Sequence, residues 1–554
     1  MAKIFSIHFL NKALKDDCFT RIKRVSEWLF LEFGNEHPIE IFDSDDSYTA
    51  VIGYTDELDI SPDSGVLGVV LSSNWKECGQ YPDGNYFLYR KSANKIELVS
   101  DYCASRSIWY YANDGIFCFS SMQLPIVLFL GDFKLNKNVI SWMISSGTLG
   151  PDNGWDERLV LLKRNTSLIF NFGNSVVKET TIESKYDVKD EFDFSSFVSV
   201  LKESVGQIEL NPKSAIHLLS GGVESRLLLS YIAKPNKLPV LTWGLTDSNV
   251  NKNSEINISK LLSKQVGLEH RTVILSASTQ TPEQILDKFL KYGEGRVDHI
   301  GGYIDGFGVW EELQKLGFKY VVRGDHNFGR KILKNGLLAR KIVGCELVSD
   351  YSNLKNVFTT PTRQDDHKVV QGPSESMVEY VKRIGIDFRH PLINSALSDL
   401  KLCFTEIVNP LLNKYLLEYS ESIPDKLITD KRLSKKVNAQ NFRDIPYPKN
   451  RDGVSVERIL DLYFRELLRR ELELINEIEL SEIGVSSTYV NQLQMRLMRM
   501  DSKNLFKQKI KSLIPKRIKQ MLFSTKGNTL SDIKIAFRIL ILIKMNRKIS
   551  SLVA

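Results

Sequence analysis

Two short stretches carry residue types that could do chemistry together. The first, Ser220-Gly221-Gly222-Val223-Glu224-Ser225-Arg226, follows the apolar run Ala215-Ile216-His217-Leu218-Leu219 and precedes Leu227-Leu228-Leu229. An apolar run, a Ser-Gly-Gly turn and a second apolar, helix-compatible run predict strand, loop and helix. The glycines let the backbone approach an anion, Ser220 and Ser225 add hydroxyl donors, and the helix start offers free amides and its positive dipole end. Pyrophosphate suits such a loop; the other reading of the same residues is a tight turn that binds nothing. The second stretch, Arg323-Gly324-Asp325-His326-Asn327-Phe328-Gly329, follows the apolar Tyr320-Val321-Val322 and puts a carboxylate just past a strand.

Both stretches need a scaffold that brings strand ends together. From about 191 to 455, apolar runs alternate with helical patterns, as in a parallel sheet covered by helices, which binds ligands at the strands' carboxyl ends. Val240-Leu241-Thr242-Trp243-Gly244 reads as the next strand, and Ser254-Glu255 opens a helix that stops at Gly267. Glu255 is either a ligand contact or a carboxylate favoured by the helix dipole. Residues 1 to 190 hold short alternating runs such as Tyr48–Tyr54 and Gly84–Tyr89, a β-rich domain. Residues 456 to 554 are helical and end in a basic tail.

The first stretch resembles the SGGxDS pyrophosphate loop of the ATP-pyrophosphatase superfamily, and Arg226 after it resembles the asparagine synthetase and β-lactam synthetase branch. Glu224 stands where that motif has Asp. The second is similar to the branch's GxGxDExFG motif, with Asp325, Phe328 and Gly329 in register, Val321 and Arg323 in place of glycines and His326 in place of Glu. A His after the Asp also resembles lasso-peptide cyclases. Leu98–Asp101, Ile108–Tyr111, Ile116–Ser121, a helix ending at Gly147 and the strand Ser167–Phe170 follow the order of the amidotransferase domain that precedes such synthetases. The resemblance implies an α/β fold: an amidotransferase-like α+β sandwich, an ATP-pyrophosphatase domain with a parallel sheet, and a helical, basic C-terminal extension.

It also implies an activity. An ATP-dependent ligase of this branch adenylates a carboxylate, releases pyrophosphate and passes the acyl group to an amine or ammonia. ATP is then expected on Ser220, Gly221, Gly222, Val223, Glu224, Ser225, Arg226 and Gly324, with adenine and ribose near Thr242. Charge builds on the departing pyrophosphate, so magnesium is expected between the phosphates and the carboxylates of Glu224 and Asp325. Lys449-Asn450-Arg451-Asp452-Gly453-Val454 is similar to the branch's R-x-K-x-G-F loop, so Arg451 and Lys449 are candidate catalytic cations. Where relatives have a Glu or Tyr that helps activate the amine, this chain has Val322. Either another base serves, with His326 and Asp298 as candidates that each have an ordinary use as a loop or helix-start polar group, or the amine arrives already neutral. Phe388-Arg389-His390-Pro391 resembles a segment that packs beside the active site, where Arg389 orients a carboxylate or holds a fold-level ion pair. The polar, loop-like Gly293–Gly302 lies where substrate recognition would suit it.

Amidotransferase domains of this type use an N-terminal cysteine as nucleophile. Position 2 is Ala2, and Cys18 reads as a packed residue, so no glutaminase activity is expected. Nitrogen then comes from a separate ammonia source or from an amine substrate. The candidates are an asparagine synthetase fed with ammonia, a tailoring enzyme acting on a small-molecule or peptide carboxylate, and a nucleotide- or partner-binding scaffold without turnover.

Composition sets the outer bounds. With 554 residues, 42% hydrophobic and 25% charged, the chain is globular and too long for one compact core. Six cysteines without CxxC spacing and an N-terminus without a signal-peptide pattern favour a cytoplasmic setting. The formal net charge is +7, and between Ser502 and Ala554 thirteen Lys or Arg face the single acid Asp532. In that tail, Ile533–Lys544 mixes apolar residues with cations. It reads as a peripheral membrane or anionic-partner helix, or, in the commoner use, as a helix packed on the protein itself. Nothing in the chain suggests nucleic-acid binding.

Overall fold

The computed structural model describes residues 5–9, 48–55, 69–72, 79, 81–92, 94–113, 116–171, 173, 176–184, 192–206, 208–244, 251–275, 280–325, 333, 335–360, 364–448, 456–498 and 528–554. Among the described residues, ten strands build the N-terminal part: β1 (Phe5–Phe9), β2 (Tyr48–Thr55), β3 (Val69–Ser72), β4 (Gly84–Ser92), β5 (Lys95–Ser100), β6 (Trp109–Asn113), β7 (Ile116–Ser120), β8 (Val160–Leu161), β9 (Thr166–Asn171) and β10 (Val176–Thr181). They form two antiparallel sheets, β1-β7-β6-β8 and β10-β9-β5-β4-β2-β3. Period-two alternation explains how the sheets pair. Phe117 and Phe119 of one face Phe87, Tyr89, Leu98, Leu168 and Phe170 of the other in one buried cluster, with Phe117 stacked on Phe170 at 4.6 Å. The outer side of β6 and β7 carries Trp109, Tyr111 and Cys118, which pack with the helices Gln123–Leu130 and Asn138–Ser146 in the main core.

Five further strands, β11 (Ala215–Leu218), β12 (Val240–Gly244), β13 (His270–Ile274), β14 (Tyr320–Val322) and β15 (Glu406–Val408), make a wholly parallel sheet in the order β13-β12-β11-β14-β15. β11 is central and buried along its length, as a short apolar run flanked on both faces must be. The chain leaves β11 toward β12 on one side and returns to β14 on the other. The gap outside the ends of β11 and β14 is therefore the switch point where such sheets take ligands.

Polar contacts dock the antiparallel part onto the edge of this sheet. Buried Arg106 pairs with Glu406, Asp83 accepts from the backbone amides of Lys414 and Tyr415 at 2.7 and 3.0 Å, and Asn85 Oδ1 accepts from Asn409 N at 2.9 Å.

Gly293–Gly302 differs from the sequence expectation, and the C-terminal helix follows the commoner of its two readings. Gly293–Gly302 is not an open polar loop: Glu294, Arg296 and Asp298 are each 5% exposed or less. Glu294 accepts from the amides of Gln123 and Leu124 at the start of their helix, Arg296 pairs with Asp399, and Asp298 with Arg538. Polarity in this stretch serves internal pairing. The C-terminal helix Asp532–Val553 is buried from Ile535 to Ile543, the pattern of a helix surrounded by protein. Its apolar residues belong to the main core with Trp142, Leu468 and Phe464, which leaves no apolar face for a membrane surface. No helix among the described residues is long and apolar enough to cross a membrane.

Candidate functional site

The Ser-Gly-Gly loop turns sharply at the end of β11. Gly221 takes φ +68°, a left-handed value that favours glycine, and a Cβ there would lie 3.0 Å from Ile258. Gly222 is the N-cap of the helix Val223–Leu228, which runs on in a wider turn over Leu229–Ala233. The Ser220 hydroxyl meets the Ser225 hydroxyl at 3.2 Å and accepts from Gly222 N at 3.3 Å, so both hydroxyls crowd one side of the loop.

That side opens into a cleft of about 190 Å³ at the switch point. Ser220 lines it from the loop after β11, Glu224 and Ser225 from the helix that follows, Leu241, Thr242 and Trp243 from β12, Glu255 from the helix after β12, and Arg323, Gly324 and Asp325 from the end of β14. Gly324 permits the approach of the two loops: a Cβ on it would stand 3.3 Å from Glu224 Cβ. Asn409 Oδ1 accepts from Asp325 N at 3.2 Å, and Asn409 is itself held by Asn85. The antiparallel part thereby reaches the rim of the cleft.

The carboxylates arrive with partners. Lys431 Nζ lies 2.7 Å from Glu224 Oε1 and 2.8 Å from Oε2. Arg323 grips Asp325 through Nε at 2.9 and 3.1 Å and Nη2 at 2.8 Å, the charge-assisted fork that guanidinium favours. Burial works against ionisation of Asp325, but Arg323 and Lys401 overcome it and hold the carboxyl down at about 2. Burial, then Arg323, pushes the Lys401 amine down to about 7. Magnesium asks for near-octahedral oxygens at about 2.0–2.1 Å. Glu224 and Asp325 share the cleft as expected, yet Asp325 has both oxygens hydrogen-bonded to Arg323, Glu224 is ion-paired to Lys431 with a hydrogen bond at Oε2 and none at Oε1 among the described residues, and those residues hold no group of three metal-capable side chains. As arranged, the pair does not fit the ion.

Other expected residues take different posts. Arg226 is fully buried and does not line the cleft. It donates to the carbonyls of Gly221 (2.9 Å), Ile445 (2.8 Å) and Pro446, and its guanidinium lies 4.0 Å from the Tyr447 ring centre. Burial lowers its pKa to about 10, and its work is to clamp the loop from behind. Gly221, Gly222 and Val223 shape the loop through backbone, with Asn438 Nδ2 donating to Val223 O at 2.8 Å. Thr242 lines the cleft, but its hydroxyl donates to Leu219 O at 2.5 Å. Asp298 is no base: burial opposes its charge, but Arg538 holds it far below the carboxylate range. Among the described residues Arg389 makes no ion pair; it donates to Ile342 O at 2.6 Å. His326, Lys449 and Arg451 lie outside the described residues.

Sequence reasoning missed Lys431 and did not give Arg323 a function. Lys431 is 207 residues from its partner, in a turn where Asp430 and Lys431 both adopt positive φ, and no local pattern announces it. Arg323 stood in view as a departure from glycine, and the carboxylate two residues on was the available signal.

His217, on β11 beneath the loop, has Nε2 3.0 Å from Ser225 O, and burial lowers its pKa from 6.5 to about 4. The folded state therefore binds this proton less readily than the unfolded chain. Stability from the neutral ring is complete above about pH 6.5 and is lost as pH falls toward 4. His217→Gln should remove that dependence. Wild type minus variant, by urea denaturation at several pH values, should narrow on acidification by up to about 1.4 kcal/mol per pH unit within this window; a constant difference contradicts the assignment.

No protein-family model and no curated protein matches the chain. Among solved structures it is similar to one titled the allosteric regulatory enzyme of purine biosynthesis, with 11% identity, TM-score 0.14, and coverage of 67% of this chain and 65% of that one. It is also similar to the glutamine phosphoribosylpyrophosphate amidotransferase from B. subtilis complexed with ADP and GMP, with 10% identity, TM-score 0.13, and coverage of 67% and 66%. The chain thus spans under two thirds of either neighbour's length.

Proposed function

We propose that the chain is an ATP-dependent ligase that adenylates a carboxylate, releases pyrophosphate and passes the acyl group to an amine or to ammonia. One observation carries this reading: the cleft at the switch point of the parallel sheet gathers the Ser220 and Ser225 hydroxyls, the Gly221 turn, Thr242 and the Asp325 end of β14. A carboxylate is a poor electrophile, so joining it to nitrogen calls for a better leaving group, and preorganised donors that meet charge as it develops lower that barrier. In this reading Ser220, Ser225 and the loop backbone hold the phosphate chain, Arg323 and Lys431 offset its charge, and Arg226 keeps the loop in shape. Trp243 supplies a flat apolar wall beside Thr242 for the base. The antiparallel part acts as a scaffold in this reading: among its described residues the cysteines, Cys103 and Cys118, are buried with thiols raised by burial and are unsuited to attack.

A second reading, a nucleotide-binding scaffold without turnover, draws on Val322. It is wholly buried in β14 and carries no group that accepts a proton from an amine. One assay separates the two. ATP is incubated with panels of amino acids, sugar acids and peptides plus amines, and AMP and pyrophosphate are measured apart from ADP. Carboxylate-dependent AMP and pyrophosphate are expected; ATP binding without either product favours the scaffold, and ADP formation sinks adenylation.

A further inference from the structure

The expected magnesium ligands each arrive paired with a cation of the chain itself, and this disagreement has a chemical meaning. Lys431 meets both oxygens of Glu224, and Arg323 meets both oxygens of Asp325. An ammonium carries three N–H donors and a guanidinium five. Arg323 uses Nε and Nη2 on Asp325, and among the described residues its Nη1 makes no hydrogen bond. Neither cation is sealed off: the side chains of Arg323 and Lys431 are 19% and 29% exposed. Each is a positive group steadied by a carboxylate that lines the cleft, with donors left over; Arg323 lines the cleft itself, and Lys431 adjoins it through Glu224. The two departures from the resembled motifs fit this pairing. Glu224 is one methylene longer than Asp, which extends it toward Lys431, and Arg323 stands where a glycine would have left Asp325 open.

We infer that Lys431 and Arg323 are the resident cations of this cleft, so that it binds a pyrophosphate-type anion without magnesium, with Glu224 and Asp325 acting as their holders. The inference rests on the phosphate-site reading above. A holder serves two ends. It fixes a flexible cation where the anion needs it, and it keeps the empty cleft from carrying unbalanced charge.

The test is calorimetric titration of the full-length protein with inorganic pyrophosphate, once in EDTA and once in magnesium. Binding is expected in EDTA, weakened about 10-fold or more by Lys431→Ala and by Arg323→Ala, since each removes a charged hydrogen-bond donor. Thermal melts of both variants establish that they are folded, and the wild-type comparison with and without metal needs no variant. Binding only in magnesium overturns the inference and spares the phosphate site. Binding in EDTA that ignores both substitutions also overturns it. No binding under either condition overturns the inference and the phosphate-site reading together.

Discussion

Arg538→Met destabilises the protein by about 3–5 kcal/mol, the cost typical of removing one partner of a buried ion pair. Arg538 is 3% exposed inside the C-terminal helix, where Nε donates to Asp298 Oδ2 at 2.7 Å and Nη1 to the carbonyls of Ile144 and Ser145 at 2.9 and 2.7 Å. Those carbonyls end the helix Asn138–Ser146, where a cation is favoured by the helix dipole as well. Methionine fills much of the space but leaves buried Asp298 without its guanidinium, with His299 Nδ1, 3.1 Å from Oδ1, beside it. The paired variant Asp298→Asn with Arg538→Met should therefore recover part of the loss. Denaturant unfolding of the single and double variants measures both, and a single variant within about 1 kcal/mol of wild type contradicts the bridging role.

Gly221→Val weakens pyrophosphate and ATP binding by about 10- to 100-fold, the equivalent of roughly 1–3 kcal/mol of backbone strain. The residue sits at φ +68°, where a β-branched side chain is an outlier, and its new Cβ would press on Ile258 at 3.0 Å and Pro448 at 3.4 Å. The loop relaxes only by moving Ser220 or by pulling the Gly221 carbonyl from Arg226. Gly267→Ala is the control. Gly267 has φ +71° with nothing within 4 Å of an added Cβ, at the far end of the helix that Glu255 opens, so it should cost stability and leave affinity alone. Equal affinity in wild type and Gly221→Val, measured by calorimetry, contradicts the loop's role.

The sheet that carries the cleft was legible because buried parallel strands are short apolar runs between breakers. Val240–Gly244 and Tyr320–Val322 match their strands end to end, and Gly147 and Gly267 stop their helices in left-handed conformations. The strand ends then fixed which residues could meet, so Ser220, Glu224, Thr242 and Asp325 share one cleft. What stayed hidden depends on partners far along the chain. Glu224 finds Lys431 across 207 residues, Asp298 finds Arg538 across 240, and Glu294 caps a helix 171 residues away. A charged residue in a polar stretch reads as solvated until its partner arrives, which is why Gly293–Gly302 looked like an open loop. The same blindness misread Arg226. A motif records that an arginine is there, but only the segment Ile445–Tyr447 behind the loop gives it carbonyls and a ring to hold.

The measurement that bears most directly on the central claim is a crystal structure of the protein with ATP. The account predicts phosphate oxygens against the Ser220 and Ser225 hydroxyls and the loop amides, with Arg323 and Lys431 turned toward them and the base beside Trp243. Nucleotide bound elsewhere on the molecule, or a cleft still empty at saturating ATP with the Ser220–Ser225 loop in its present shape, would contradict it.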